Sequence, residues 1–264
     1  MKKNFRFCIL FVLIFLFNTL IVKAEREVKK EEIELKNGII YFKGEENSYN
    51  GIVKENYPNG KLKESLIVEN GKVNGNVKVY YENGNLKYNT PYKNNKKEGI
   101  EKIYSLDGKL EMEVPYKNGV KDGVQKQYSK DGKLIVEATL KNNLRNGSYK
   151  DYFENGKIRA EGTYKNGKLV GLYKVYYPNA NLETEVNYIN GKREGSYKIN
   201  YDNGKLKEIG NYKDDKLVGD ISIISKNGEK IANLHYTQDG KKTGKWTYLY
   251  QNGNVQQEFV YEND

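Results

Sequence analysis

The chain has 264 residues, with 24 Tyr and 26 Gly but one Cys, one His, one Trp and four Pro. So little Cys and His leaves almost nothing from which to build a Cys/His zinc site, a Ser-His-Asp triad or a Cys-His nucleophile. The net charge of +10 is spread over 30% charged residues of both signs. That is ordinary surface chemistry rather than the concentrated basic patch of a nucleic-acid binder.

The chain opens with Lys2, Lys3 and Arg6, then an apolar run from Phe7 to Phe17 that resumes at Leu20–Val22. It closes on Val22-Lys23-Ala24 and turns abruptly charged at Glu25-Arg26-Glu27. This is the pattern of a secretory signal peptide over 1–24, cut after Ala24. The competing expectation is an uncleaved inner-membrane anchor, for which an apolar segment of about 16 residues falls short of the roughly 20 needed to span. Cys8 sits inside the apolar run and leaves with it. The 240 residues after the cut keep every Tyr and Gly and have no Cys, so an exported chain has no disulfide to lean on. Residues 25–35 are charged and read as loose; 36–50 read as a partial unit that caps the first full copy of a repeat.

From Gly51 to the end the chain is one unit repeated. Gly51, Gly75, Gly99, Gly123, Gly147, Gly171, Gly195 and Gly219 are 24 apart. A second register, Gly60, Gly84, Gly108, Gly132, Gly156, Gly204 and Gly228, has the same step, with Ala180 in the vacant slot. One extra residue near Thr237 shifts the last copy, which makes nine copies. Each holds two runs of alternating residues between turn dipeptides such as Asn83-Gly84 at one end and Asn118-Gly119 at the other. Asn-Gly between such runs signals a two-residue type I′ hairpin turn. The expectation is all-β: an antiparallel meander of 18 to 20 strands, about 85 Å long at roughly 4.8 Å per strand.

A two-residue turn at Asn83-Gly84 sets the pairing: Lys78 faces position 89 and Val77 faces position 90. The Lys78 column runs Lys54, Lys78, Lys102, Lys126, Lys150, Lys174, Lys198, and the position-89 column supplies Glu113, Glu137, Glu161 and Glu185. This gives four cross-strand Lys–Glu pairs, each of a few tenths to about 1 kcal/mol. A tyrosine column, Tyr80, Tyr104, Tyr128, Tyr152 and Tyr176, lies on the same face. The columns through Val79, Leu86, Tyr92 and Tyr81 are assigned to the other, apolar face.

The unit Gly-x-Tyr-Lys-x-Tyr-Tyr-x-Asn-Gly-Lys-Leu, clearest in Gly147–Gly156 and Gly171–Asn179, resembles the MORN repeat, in particular the bacterial antitoxin-like MORN-variant group. The resemblance spans 51–264. It implies a hairpin-repeat sheet and roles in scaffolding, lipid association or toxin neutralisation; an export signal fits poorly with neutralising a cytosolic toxin.

The lysines can form a ladder for anionic lipid, or simply a solvated face neutralised by glutamate. Lys54, Lys78 and Lys198, which face Ser65, Asn89 and Ile209, lack that neutralisation. The tyrosines can bind a partner or pack one another. Lys54, Lys78, Lys198 and the five tyrosines from Tyr80 to Tyr176 are therefore the candidate interaction surface. No catalytic, cofactor or metal site is expected: the Asp-Gly pairs lack calcium-loop spacing, and His235 reads as structural. The expected function is an exported, non-enzymatic interaction scaffold at the periplasm, outer membrane or surface. The partner is a protein, with anionic lipid, toxin neutralisation and self-association as alternatives, and without nucleic acid.

Overall fold

The computed structural model describes residues 26–262. The signal-peptide reading of 1–24 lies outside the described residues. The rest is all-β: a 22-stranded sheet and a separate two-stranded one. Remove from the 22 one short parallel strand and three two-residue stubs, and 18 meander strands remain, two for each of nine copies. The last strand, Val255–Tyr261, pairs with Gly244–Leu249. At the other end β4 (Gly51–Asn56) pairs with β5 (Leu62–Glu69) and, in parallel, with β1 (Glu27–Lys29). Among the described residues the sheet is thus an open ribbon.

Residues 26–35 are not loose. β1 extends the sheet, and β2 (Ile33–Lys36) pairs with β3 (Ile39–Phe42) across a tight turn at Asn37-Gly38. Val28, Ile40 and Tyr49 are buried against Val53 and Val68 of the first copy. The charged sequence hides this because only Val28, Ile33, Ile40, Phe42 and Tyr49 need face inward to cover one edge.

The register is the expected one: Lys78 stands opposite Asn89 and Val77 opposite Thr90. The turn that produces it is not the expected one. Gly84 N–H bonds the Tyr81 carbonyl and Tyr81 N–H bonds the Asn85 carbonyl. Glu82-Asn83-Gly84 is therefore a three-residue loop, with positive φ at Gly84 alone. That shifts the pairing by one, and a β-bulge between Val79 and Tyr80 shifts it back. The opposite edge does carry two-residue turns with positive φ at both centres, as at Asn118-Gly119 and Asn94-Asn95. The extra residue near Thr237 converts that edge's turn, in the last copy, into a three-residue loop ending at Gly240.

Burial follows the columns through Val77 and Thr90 more than those expected to be apolar. Val53, Tyr197, Ile221 and Trp246 of the first column and Val114, Ala138 and Val186 of the second are all buried. Val79, Leu86 and Tyr92 are only half-buried. Volumes are traded across the pairing. Tyr149 faces Gly162 and Tyr197 faces Gly210. A Cβ at Gly162 would lie 2.7 Å from the Tyr173 ring, and one at Gly210 2.9 Å from the Tyr197 ring. Neither glycine has positive φ, so both are there for space.

Candidate functional site

The lysine–tyrosine face is built by alternation. Residues 76, 78 and 80 of a copy's first strand share a face with 89 and 91 of its second, because paired residues point the same way. All four expected Lys–Glu pairs are in register. Three close to ion pairs: Lys102–Glu113 at 3.7 Å, Lys126–Glu137 at 3.9 Å and Lys174–Glu185 at 3.5 Å. Each glutamate also faces the lysine of the following copy, as Glu113 faces Lys126. The tyrosines complete the lattice. Tyr128, Tyr152 and Tyr176 donate their hydroxyls to Glu113, Glu137 and Glu161 of the preceding copy at 2.9, 2.9 and 2.7 Å. Burial, then the adjacent carboxylate, pushes these three phenols up to about 12. They remain neutral donors across the physiological range.

The remaining candidates divide. Lys54 does face Ser65, but its ammonium meets Glu27 of β1 at 2.5 Å, a partner that a loose leader would not supply. Lys78 is exposed between Ser65 and Asn89. Lys198 is exposed and faces Ile209 on one side and Glu185 on the other. Tyr80 and Tyr104 are half-buried beside the first two copies, where serine and asparagine replace glutamate.

Two features escape the sequence reading. On the lattice face, two residues before each lysine, Ile100, Val124 and Leu172 are 51%, 49% and 50% exposed. Ile100 pairs with Pro115, and Val124 with Thr139. The three fall in one column at multiples of 24, a signal legible in the sequence but masked by the lysines beside it. On the opposite face Glu101 is buried. Thr90 Oγ1 donates to it at 2.8 Å and Lys97 Nζ at 2.6 Å. Burial works against the charge on Lys97, but Glu101 outweighs it and raises the pKa. This is a satisfied ion pair filling a core column. His235 lies beside Asp220, with Nδ1 2.5 Å from the carboxylate. Among the described residues no group of three His, Cys, Asp or Glu side chains is placed to hold a metal.

The fold and this face define a protein made of stacked β-hairpins that presents one surface many times. The chain belongs to the MORN repeat variant family, whose profile matches 49–70, 73–94, 97–118, 121–142, 145–166, 169–190, 193–214 and 242–263. The unmatched copy between the last two folds as the same hairpin, Lys216–Ile224 with Lys230–Tyr236. MORN repeats are in general protein- or lipid-interaction repeats. No curated protein matches the chain. Solved structures that align with it include the crystal structures of TcdB2-TccC3-Cdc42 and TcdB2-TccC3-TEV, at 11% and 10% identity and a TM-score of 0.18 each. Each alignment covers 81% of this chain, which spans only 17% and 14% of those chains.

Proposed function

We propose that the chain is an exported, non-enzymatic scaffold of the bacterial envelope or surface that docks proteins on its lattice face. One observation supports the docking part of this reading: Ile100, Val124 and Leu172 lie half-exposed in a single column of a face on which three lysines are paired with glutamates. Apolar side chains spaced by whole repeats amid neutralised charge suit a partner that touches several copies at once. The anionic-lipid reading has less support, since Lys54, Lys102, Lys126 and Lys174 already hold carboxylates. The test is affinity capture from envelope fractions, comparing the native chain with one carrying Ile100→Glu, Val124→Glu and Leu172→Glu. A protein recovered with the former and depleted about tenfold or more with the latter is expected. Equal recovery by both, or a chain that fractionates with the cytosol at full length, would overturn the proposal.

A further inference from the structure

A different column points to a specific docking slot. In four copies a tyrosine at the start of the three-residue loop reaches across to the next copy. Tyr57, Tyr81, Tyr177 and Tyr201 donate their hydroxyls to the carbonyls of Tyr80, Tyr104, Asn200 and Ile224, at 2.7 to 2.9 Å. These rings lie along the loop edge and tie neighbouring copies together.

In the third, fourth and eighth copies the ring is missing: Ser105, Ser129 and Ser225 stand in its place, and only the first two fall in adjoining copies. Their hydroxyls stay inside their own loops: Ser105 Oγ engages Asp107 and Lys109, and Ser129 Oγ accepts from the Asp131 and Lys133 amides. The consequence is a cleft of about 840 Å³ at this point of the edge. Ile103, Leu106 and Met112 line it, together with Asn83, Asn85 and Gln127. Leu106 is 60% exposed, an apolar side chain left standing beside an empty aromatic slot. Tyr128, whose carbonyl is the counterpart in sequence of the four acceptors, is among the residues that line the cleft. Because Ser129 is small too, no ring closes the far side. The space is larger than one phenol needs and leaves room for flanking backbone.

We infer that this cleft accepts a tyrosine side chain from a partner protein, with the ring over Ile103 and Met112 and the hydroxyl donating to the Tyr128 carbonyl. The chain itself shows, four times, what fills the equivalent slot. The ring supplies apolar area and the hydroxyl gives direction. This rests on the scaffold reading above for the source of the tyrosine, but not for the existence of the slot.

The test uses N-acetyl-tyrosinamide as probe and NMR of the full chain. Expected are saturable shifts of the Ile103 and Met112 methyls, with intermolecular contacts between the ring protons and the Met112 methyl. N-acetyl-phenylalaninamide, which lacks the donor, should bind about threefold to tenfold more weakly. Ser105→Tyr should abolish binding and raise the unfolding temperature by filling the slot from within. Shifts that persist in folded S105Y, or no ring-to-Met112 contact in the native chain at saturating probe, would overturn the proposal; the latter does not depend on any variant folding. Tighter binding of p-cresol than of the peptide-like probe would mark a site for a free phenol and equally overturn it. Envelope capture that fails while the probe contacts are seen removes the scaffold reading and leaves the slot. A partner captured equally well by S105Y leaves the scaffold and removes the slot as its docking point.

Discussion

Asn89 stands between Lys78 and Lys102, in a position that glutamate holds in each of the next four copies. Its Oδ1 is buried and lacks a hydrogen-bond partner among the described residues. An unsatisfied buried carbonyl costs about 1–3 kcal/mol, while a cross-strand charge pair contributes about 0.2–1 kcal/mol. Asn89→Glu should therefore stabilise the chain by about 1 kcal/mol: the carboxylate meets two lysines and gives Tyr104 the acceptor that Tyr128 already has in Glu113. Urea unfolding at low and high salt checks this. A gain that shrinks with salt is expected; a loss of stability at low salt would show that the lattice does not extend into the second copy. The Lys–Glu pairs are legible in the sequence because alternation and a fixed register leave no choice of partner. The Tyr–Glu bonds are not, because they cross from one copy to the next, and the hairpin register says nothing about how far a ring leans.

At the scale of the hairpin, the two edges use different turns for the same dipeptide. Asn-Gly by itself predicts type I′ at both. The distinction is present in composition: Asn94-Asn95, Asn142-Asn143 and Asp214-Asp215 replace Asn-Gly only on the two-residue edge, where both centres have positive φ. There the second side chain has a further use. Asn95, Asn143 and Asp215 accept the backbone N–H of Val73, Lys121 and Arg193 in the preceding copy, at 2.6 to 2.9 Å. Asn143→Ala should thus cost about 2 kcal/mol, combining a left-handed alanine with a lost inter-copy bond. On the other edge Ala180 occupies a glycine slot at φ 76°. Ala180→Gly should stabilise by about 0.5–1 kcal/mol, less than the full left-handed penalty because glycine loses more entropy on folding. Opposite signs for the two substitutions in chemical denaturation are the expected result; equal signs would mean that turn conformation does not limit hairpin stability. The predicted register holds despite the longer loop only because the bulge restores the residue that the loop displaces, a compensation that no local pattern announces.

At the scale of the whole molecule the described residues form one long sheet with a small two-stranded addition at the first copy. A single-layer ribbon has no shared core, so each hairpin is held by its neighbours and the two ends differ by what covers them. At the first copy Val28, Ile40 and Tyr49 are buried over the edge. At the other end Val255, Phe259 and Val260 are 53%, 40% and 74% exposed. The sole tryptophan reports on that end. Trp246 is 5% exposed, donates to the His235 carbonyl at 2.9 Å and packs between Tyr236 and Tyr261, with ring centroids 5.3 and 4.8 Å away. Among the described residues the last strand pairs on one side only, and a copy so placed opens below the free energy of the array. Trp246 fluorescence should therefore change before far-UV circular dichroism in urea. The offset should be on the order of 0.5 M for a deficit of about 1 kcal/mol and a slope of about 2 kcal/mol/M. Amide exchange should be fast across Val255–Tyr261 and slow in Leu182–Ile189, which is flanked on both sides. Coincident transitions with uniform protection would mean that nine hairpins unfold as one unit, and that the ribbon is more cooperative than nearest-neighbour stacking allows.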